Sequence, residues 1–347
     1  MKSFLSACFV LLFSSITFAQ TNPQWIRYQT ISPDGSTIVF TYKGDLYSVA
    51  STGGDATQLT FHEAHDYMPV WSKDGKSIAF ASDRYGNFDI YMMSAQGGAA
   101  KRLTFHSNDE KPFTFSADGK NVIFGALRMD TKEHRQYPTG SQPELYSVPV
   151  NGGRVDQIFT VPAEFVQINK DGSQMVYHDK KGGENEWRKH HTSSITRDIW
   201  TYNTKSKAHK MITSFKGEDR QPIYSIDEKS LYYLSEESGS FNVHKLSLTN
   251  PSQNTQLTNF NLHPVRFLSM GNGTLSFGYD GELYTMKEGE QPKKVNVNIR
   301  TQEKSNSDKF ITINGGVQEM AVHPNGKEIA FVARGEVFVT SIDGSLT

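Results

Sequence analysis

Few residues in this chain have the types and spacing that chemistry requires. His62-Glu63-Ala64-His65 is one residue short of the His-Glu-x-x-His spacing that sets two imidazoles on one helical face around zinc. It follows a strand pattern, not a helical one, so no metal is expected there. Gly75-Lys76-Ser77 ends like a phosphate-binding loop, but Val70 stands where the first glycine is needed and no helix pattern follows. A hairpin turn is the better reading. No Gly-x-Ser-x-Gly elbow occurs, which removes the simplest nucleophile of an α/β-hydrolase.

Two basic insertions remain. The segment from His178 to Arg197 holds Lys180, Lys181, Arg188, Lys189, His190, His191, Ser193, Ser194 and Arg197. A serine beside a histidine invites a nucleophile reading, yet neither imidazole has an identifiable orienting carboxylate or oxyanion site. The segment from Arg128 to Gln142 adds Lys132, His134 and Arg135. Solvated inter-strand loops explain both segments. The functional alternative is a contact surface formed by Arg128, Arg135, Arg188, Lys189, His190, His191 and Arg197, whose cations would engage peptide carboxylates or an acidic neighbouring domain. No catalytic, cofactor-binding or metal-binding residue is assigned, and no cofactor is expected.

The elements that must position these loops are repeats. Turns recur at Asp34-Gly35, Asp74-Gly75, Asp118-Gly119, Asp171-Gly172, Asp227-Glu228, Asn272-Gly273 and Asn325-Gly326, spaced 40 to 56 residues apart. Each is followed by an apolar-x-aromatic phrase, as in Ile38-Val39-Phe40 and Ile78-Ala79-Phe80, and then by an acidic-aliphatic-aromatic triplet such as Asp45-Leu46-Tyr47 or Asp89-Ile90-Tyr91. Many units close on Leu-Thr. Short alternating segments bounded by Asp-Gly or Asn-Gly turns are antiparallel strands. A four-stranded meander cannot bury both of its faces alone, so units of this period pack radially as propeller blades. A β-sandwich gives no reason for one phrase to recur so regularly.

The predicted fold is therefore all-β: a six-bladed β-propeller of four-stranded antiparallel blades, plus the first, incomplete blade of a second propeller. The predicted organisation is a signal peptide at 1–19, the propeller at 20–299, a linker at 300–309, and the truncated start of a second propeller at 310–347. Residues 300–309 are polar without apolar period, and the seventh repeat stops before its outer strand. One seven-bladed ring, with Gln24 to Tyr28 supplying the missing outer strand, is the alternative.

Lys2, the apolar run to Phe18 and Thr17-Phe18-Ala19 read as a cleavable export signal. Leu5-Ser6-Ala7-Cys8 resembles a lipobox, but it precedes the apolar run instead of following it. Cleavage would remove Cys8, the single cysteine, so no disulfide is expected and a bacterial periplasm or secreted location fits. After cleavage no membrane span is expected. With 36 Lys+Arg against 37 Asp+Glu, no basic field exists to hold nucleic acid.

On Ile31-Ser32-Pro33-Asp34-Gly35, Ser82-Asp83-Arg84-Tyr85-Gly86-Asn87-Phe88-Asp89, Glu186-Trp187-Arg188-Lys189-His190-His191 with Arg197-Asp198-Ile199-Trp200, and Val322-His323-Pro324-Asn325-Gly326-Lys327, the sequence resembles the amino-terminal region of bacterial tricorn-type serine proteases. The first two phrases are shared with TolB-like propellers. The resemblance implies a six-bladed propeller, then a seven-bladed one, then PDZ-like and peptidase domains that carry the catalytic residues. It implies a non-catalytic portion that gates or channels oligopeptides to a peptidase missing here, with peptides, those domains or further copies as partners. A stand-alone TolB-like binding propeller is the rival, and a prolyl-oligopeptidase relative a third possibility.

Overall fold

The structure, a computed structural model of the 347-residue chain, describes residues 23–128, 142–183, 185, 187–188, 190, 192–300 and 314–345. The expected signal peptide with Cys8, nearly all of the expected linker, and Arg135, Lys189 and His191 lie outside the described residues. Every regular element among the described residues is a strand.

Blade 1 consists of β1–β4 (Arg27–Ile31, Thr37–Tyr42, Asp45–Ala50, Gly54–Gln58) and blade 2 of β5–β8 (Asp66–Trp71, Ser77–Ser82, Asp89–Ser94, Lys101–Arg102). Blade 3 is β9–β12 (Glu110–Phe115, Asn121–Ala126, Glu144–Pro149, Asp156–Phe159), and blade 4 is β13–β16 (Ala163–Ile168, Gln174–Asp179, Ile199–Asn203, His209–Met211). Blade 5 is β17–β20 (Asp219–Tyr224, Ser230–Ser235, Asn242–Ser247, Asn254–Gln256), and blade 6 is β21–β24 (Arg266–Gly271, Thr274–Tyr279, Glu282–Lys287, Lys293–Val295). Each is an antiparallel meander. The first strands β1, β5, β9, β13, β17 and β21 neighbour one another in turn, and β21 returns to β1. The ring closes on six blades.

Closure is reinforced at the periphery. β25 (Val297–Ile299) adds a fifth, parallel strand to blade 1, with Val297 opposite Gly54 and Ile299 opposite Ala56. The seven-bladed alternative is not what forms. Arg27 begins the innermost strand of blade 1, and the Ile26 N–H donates to the Gly281 carbonyl at 3.0 Å.

The recurring phrases have local causes. In the turns, an Asp carboxylate accepts from the serine two residues before it and from the N–H two residues after it, as in Ser72 Oγ to Asp74 Oδ1 at 2.6 Å and Lys76 N to Asp74 Oδ1 at 3.1 Å. Bonds of this kind hold Asp34, Asp74, Asp118, Asp171 and Asp227 below the usual carboxylate range. The closing threonine accepts the N–H of the aliphatic residue in the triplet: Leu46 to Thr60, Ile90 to Thr104, Ile199 to Thr213 and Val243 to Thr258, each at 2.8–2.9 Å. The phrase aromatics stack on the triplet aromatics across the ladder: Phe40 on Tyr47, Phe80 on Tyr91, Phe124 on Tyr146 and Phe277 on Tyr284, with centroids 5.9–6.0 Å apart.

A seventh sheet, β26–β28 (Val317–Val322, Glu328–Ala333, Glu336–Ser341), has three strands. It repeats the blade pattern, with Phe331 stacked on Phe338 at 5.4 Å. Its apolar side chains lack the cover found in the ring: Met320 is 69% exposed and Val339 52%, whereas Ile38 and Phe40 of blade 1 are wholly buried.

Blades 6 and 1 meet at a backbone contact that admits no side chain, because a Cβ on Gly271 would stand 1.9 Å from the Ser32 carbonyl oxygen. Gly271→Ala is therefore predicted to destabilise the ring by about 2 kcal/mol or more, since backbone on both sides must shift. Thermal denaturation checks this; a midpoint within a degree of the parent would show the seam to be loose.

Candidate functional site

The six first strands enclose a concavity on the ring axis. A cavity of about 590 Å³ is lined by all six first strands, among them Tyr28, Trp71, Phe113, Phe165, Tyr224 and Phe267. Its shape follows from a bulge repeated in every blade. Two residues of the first strand oppose one aromatic of the second: Tyr28 and Gln29 face Phe40, Met68 and Pro69 face Phe80, and Phe267 and Leu268 face Phe277. The first bulge residue takes a left-handed backbone at Tyr28 (φ 51°), Met68 (φ 53°), Phe165 (φ 52°), Gln221 (φ 51°) and Phe267 (φ 57°). Bulky side chains rarely accept this conformation. Blade 3 carries Pro112 at the equivalent position, whose ring forbids positive φ, so its extra residue moves on to Phe113.

The bulges narrow the axis. Tyr28 lies 4.6 Å from Phe267 and 5.3 Å from Tyr67, ring centre to ring centre. Beyond them the space shrinks to about 30 Å³ beside Glu164, His178, Arg197, Arg220 and Trp187. The Trp187 indole packs 6.0 Å from Phe267, with the Arg27 guanidinium at 4.6 Å and that of Arg266 at 4.8 Å from its ring centre. Arg266 Nη2 also donates to the Trp187 carbonyl at 3.1 Å. The basic insertion thus reaches the axis through an indole. The sequence reading valued the cations of this segment and gave Trp187 no role. An apolar aromatic inside a polar insertion was the available signal.

The expected cationic surface is divided. Arg188 and His190 are exposed, and the His190 N–H donates to Glu236 Oε1 at 2.9 Å. Contrary to expectation, Arg197 is buried and Arg128 is half-buried and paired. Arg128 Nε donates to the fully buried Glu110 at 2.9 Å. Its place is a repeat position, because Arg84 pairs in the same way with buried Asp66 at 2.9 Å, while Lys180 reaches Glu164 at 3.0 Å from a neighbouring register. In blades 2 and 3 the acid that opens the first strand is neutralised by the base that follows the second strand, 18 residues on. Arg197, 2% exposed, lies 3.2 Å from the Glu218 carboxylate and 3.8 Å from that of Glu164. Arg220 pairs with Glu218 from the other side at 2.5 Å. His178 Nδ1 accepts the Gln221 N–H at 3.0 Å, which leaves the Nε2 proton facing Glu164 at 3.5 Å. Burial outweighs that carboxylate and lowers His178 to about 4, so it is neutral at pH 7. No reacting group results, because every charge here is tied to another. No cluster of His, Cys, Asp and Glu suited to a metal occurs among the described residues.

The rim that carries the connections between second and third strands, and between successive blades, exposes Trp25, Phe61, Tyr85, Phe105 and Leu262. The seventh sheet meets this rim. Arg334 Nη2 donates to the Glu63 carbonyl at 3.2 Å, and Gln318, Glu319 and Val332 share a cavity of about 400 Å³ with Trp25, Trp187 and Tyr279.

Removing one member of the buried network strands the others. Arg197→Met is predicted to cost about 3 kcal/mol of stability, whereas exposed Arg188→Met stays within about 0.5 kcal/mol. Urea denaturation of both variants checks the contrast, and equal losses would refute it. Burial also raises Asp219 to about 7, despite hydrogen bonds from Ser235 and Thr213. Between its unfolded value near 3.8 and about 7 the folded chain holds the extra proton, so this group's contribution to stability falls as pH rises through that window. Asp219→Asn should raise the melting midpoint at pH 8, with the gain shrinking at pH 5. A gain independent of pH would show that ionisation is not the cause.

No curated protein sequence gives a significant match. Among solved structures, the tricorn protease is similar at TM-score 0.68 and 21% identity over 93% of this chain, which spans 31% of that one. TolB from Acinetobacter baumannii is similar at TM-score 0.54 and 20% identity, covering 70% of this chain and 56% of that one. A chain of the nidogen/laminin complex reaches TM-score 0.55 at 10% identity, covering 73% of this chain and 90% of its own. The family model described as the tricorn protease N-terminal beta propeller domain matches residues 23–292. The chain belongs to that family of tricorn-type propellers.

Proposed function

We propose that this chain is the non-catalytic propeller portion of an exported tricorn-like serine protease and that it gates oligopeptides toward a peptidase domain carried elsewhere. The observation that supports the reading most is the axial cavity built by all six first strands in a member of the tricorn N-terminal propeller family. A ring with an axial opening discriminates by cross-section, so an extended chain enters where a folded domain does not. The charged groups near the axis are locked in mutual pairs, which leaves the ring to position peptide and the chemistry to another domain.

Residues 310–347 begin a second propeller in this reading, and 300–309 link the two. The exposed apolar side chains of β26–β28 support it, because a blade sheet is normally covered on both faces. The rim bearing Arg188, His190 and the exposed aromatics then faces the companion domains. No helix among the described residues is long and apolar enough to cross a membrane. Export to a periplasm or cell surface rests on the leader read in residues 1–19. The rival, a stand-alone TolB-like protein-binding module, draws on the same exposed rim.

Internally quenched oligopeptides separate these readings. The purified chain is expected to bind unfolded peptides saturably by fluorescence anisotropy, to ignore folded proteins of similar charge, and to hydrolyse nothing. Unaided hydrolysis would end the non-catalytic reading. Absence of peptide binding, with capture of a folded envelope protein, would favour the rival.

A further inference from the structure

The lining of the axial cavity lies on one side of the bulges. Its wall runs from the bulge residues along the remainder of the first strands to the Ser-x-Asp-Gly turns, and Lys73, Lys170, Ile226 and Glu228 stand at that mouth. None of the residues that precede the bulges lines it. Arg220, Glu164 and Arg266 border the separate space of about 30 Å³, which shares Phe165 and Phe267 with the larger cavity as a common wall. Trp187 covers the far side, seated between two guanidiniums and held by its carbonyl.

The polarity of the wall narrows what can enter. Propeller first strands have an inner edge whose backbone groups could pair with an extended peptide. Here side chains of neighbouring blades occupy that edge. Gln29 Nε2 donates to the carbonyls of Arg266 and Phe267 at 3.2 and 3.1 Å, and Trp71 Nε1 to that of Thr30 at 3.1 Å. The Leu268 N–H donates to Gln221 Oε1 at 2.9 Å, and the Ile31 N–H to Ser269 Oγ at 3.2 Å. The backbone of blades 1 and 6 is engaged in this way, and ring and aliphatic carbon make up the larger part of the wall left to a guest. A volume of about 590 Å³ is large for one side chain and ordinary for a ligand with two rings. The wall is also fixed in shape by left-handed backbone at five of six equivalent positions.

We propose that the axial cavity is a one-mouthed receptor for bulky apolar side chains of a peptide, which enter from the turn face and stop at the Tyr28–Phe267 constriction. This rests on the peptide-handling reading for the nature of the guest and on geometry for the site. The ring then holds peptides by their aromatic residues at the turn face, and gating in this form is capture at that mouth and not passage past Trp187.

Trp71 lies in the cavity and Trp187 beyond its closed end, so 5-fluorotryptophan labelling with ¹⁹F NMR reports each side, the four resonances being assigned by single Trp→Phe variants. Acetyl-Lys-Phe-Phe-amide should shift Trp71 saturably and leave Trp187 unmoved. Acetyl-Lys-Gly-Gly-amide should bind at least roughly tenfold more weakly, since it buries no ring. Ile226→Asp, at an exposed mouth position that folding tolerates, should weaken the Phe-Phe peptide roughly fivefold by charging an apolar contact. Trp187 moving in step with Trp71 would overturn the closed end and leave a through-passage. If neither moves although anisotropy shows the peptide bound, the pocket is wrong and peptide handling stands. If the two peptides bind equally weakly and neither tryptophan moves, both ideas fall.

Discussion

The structure depends on a single constraint: six first strands face an axis with one backbone edge each, and no further strand among the described residues pairs with those edges. Unpaired N–H and C=O groups are costly where water is scarce. The ring answers with side chains that cross between blades. Gln29 and Ser269 join blades 1 and 6, Trp71 joins 2 to 1, Gln221 joins 5 to 6, and Gln167 Nε2 reaches the Phe113 carbonyl from blade 4 to blade 3 at 3.4 Å. His178 adds a bond from blade 4 to the Gln221 N–H of blade 5. These rungs set the distance between blades, and that distance sets the bore.

The bulge is the second half of the same solution. It re-aims the side chains nearest the axis so that adjacent blades meet through rings: Tyr28 against Phe267 and Tyr67, and Phe113 against Phe165 at 5.9 Å. Each bulge opposes one aromatic of the second strand, which is why the apolar-x-aromatic phrase recurs and why Phe40, Phe80 and Phe277 are wholly buried. Sequence period, bulge and bore are consequences of one packing rule applied six times.

That rule explains what could be read before any coordinates. Turn, phrase and triplet obey local hydrogen bonding and stacking, so their spacing gives seven units directly, while the closure of six of them into a ring is set by contacts between blades. The axial residues obey no local pattern. Tyr28, Met68, Phe165, Gln221 and Phe267 share a backbone state and not a residue type, so alignment of the repeats passes over them. The cations failed for a related reason. Arg128 and Arg197 looked like loop charges because the acids that pair with them, Glu110 at the start of β9 and Glu218 just before β17, lie elsewhere in the chain. Arg84 and Arg128, each 18 residues after such an acid, carried that information as a repeat position.

The two faces of the seventh sheet complete the physical picture. In β27 and β28, Ala330 and Val332 oppose Val339 and Val337, while Phe331 opposes Phe338, so apolar residues point both ways from one sheet. In blades 1 to 6 that arrangement is satisfied because each sheet is sandwiched between two others. A sheet apolar on both sides, with Val332 and Ala333 buried but Met320 and Val339 exposed, is less stable in water by the same area argument that makes the ring stable. Its contact with the propeller rim, through Arg334 and the space under Trp25, covers only part of that surface. The side chains left exposed, Met320, Val322, Val337 and Val339, would lose that exposure only against further neighbours. The rim that presents Phe61, Phe105 and Leu262 beside them is the surface against which such neighbours would be set.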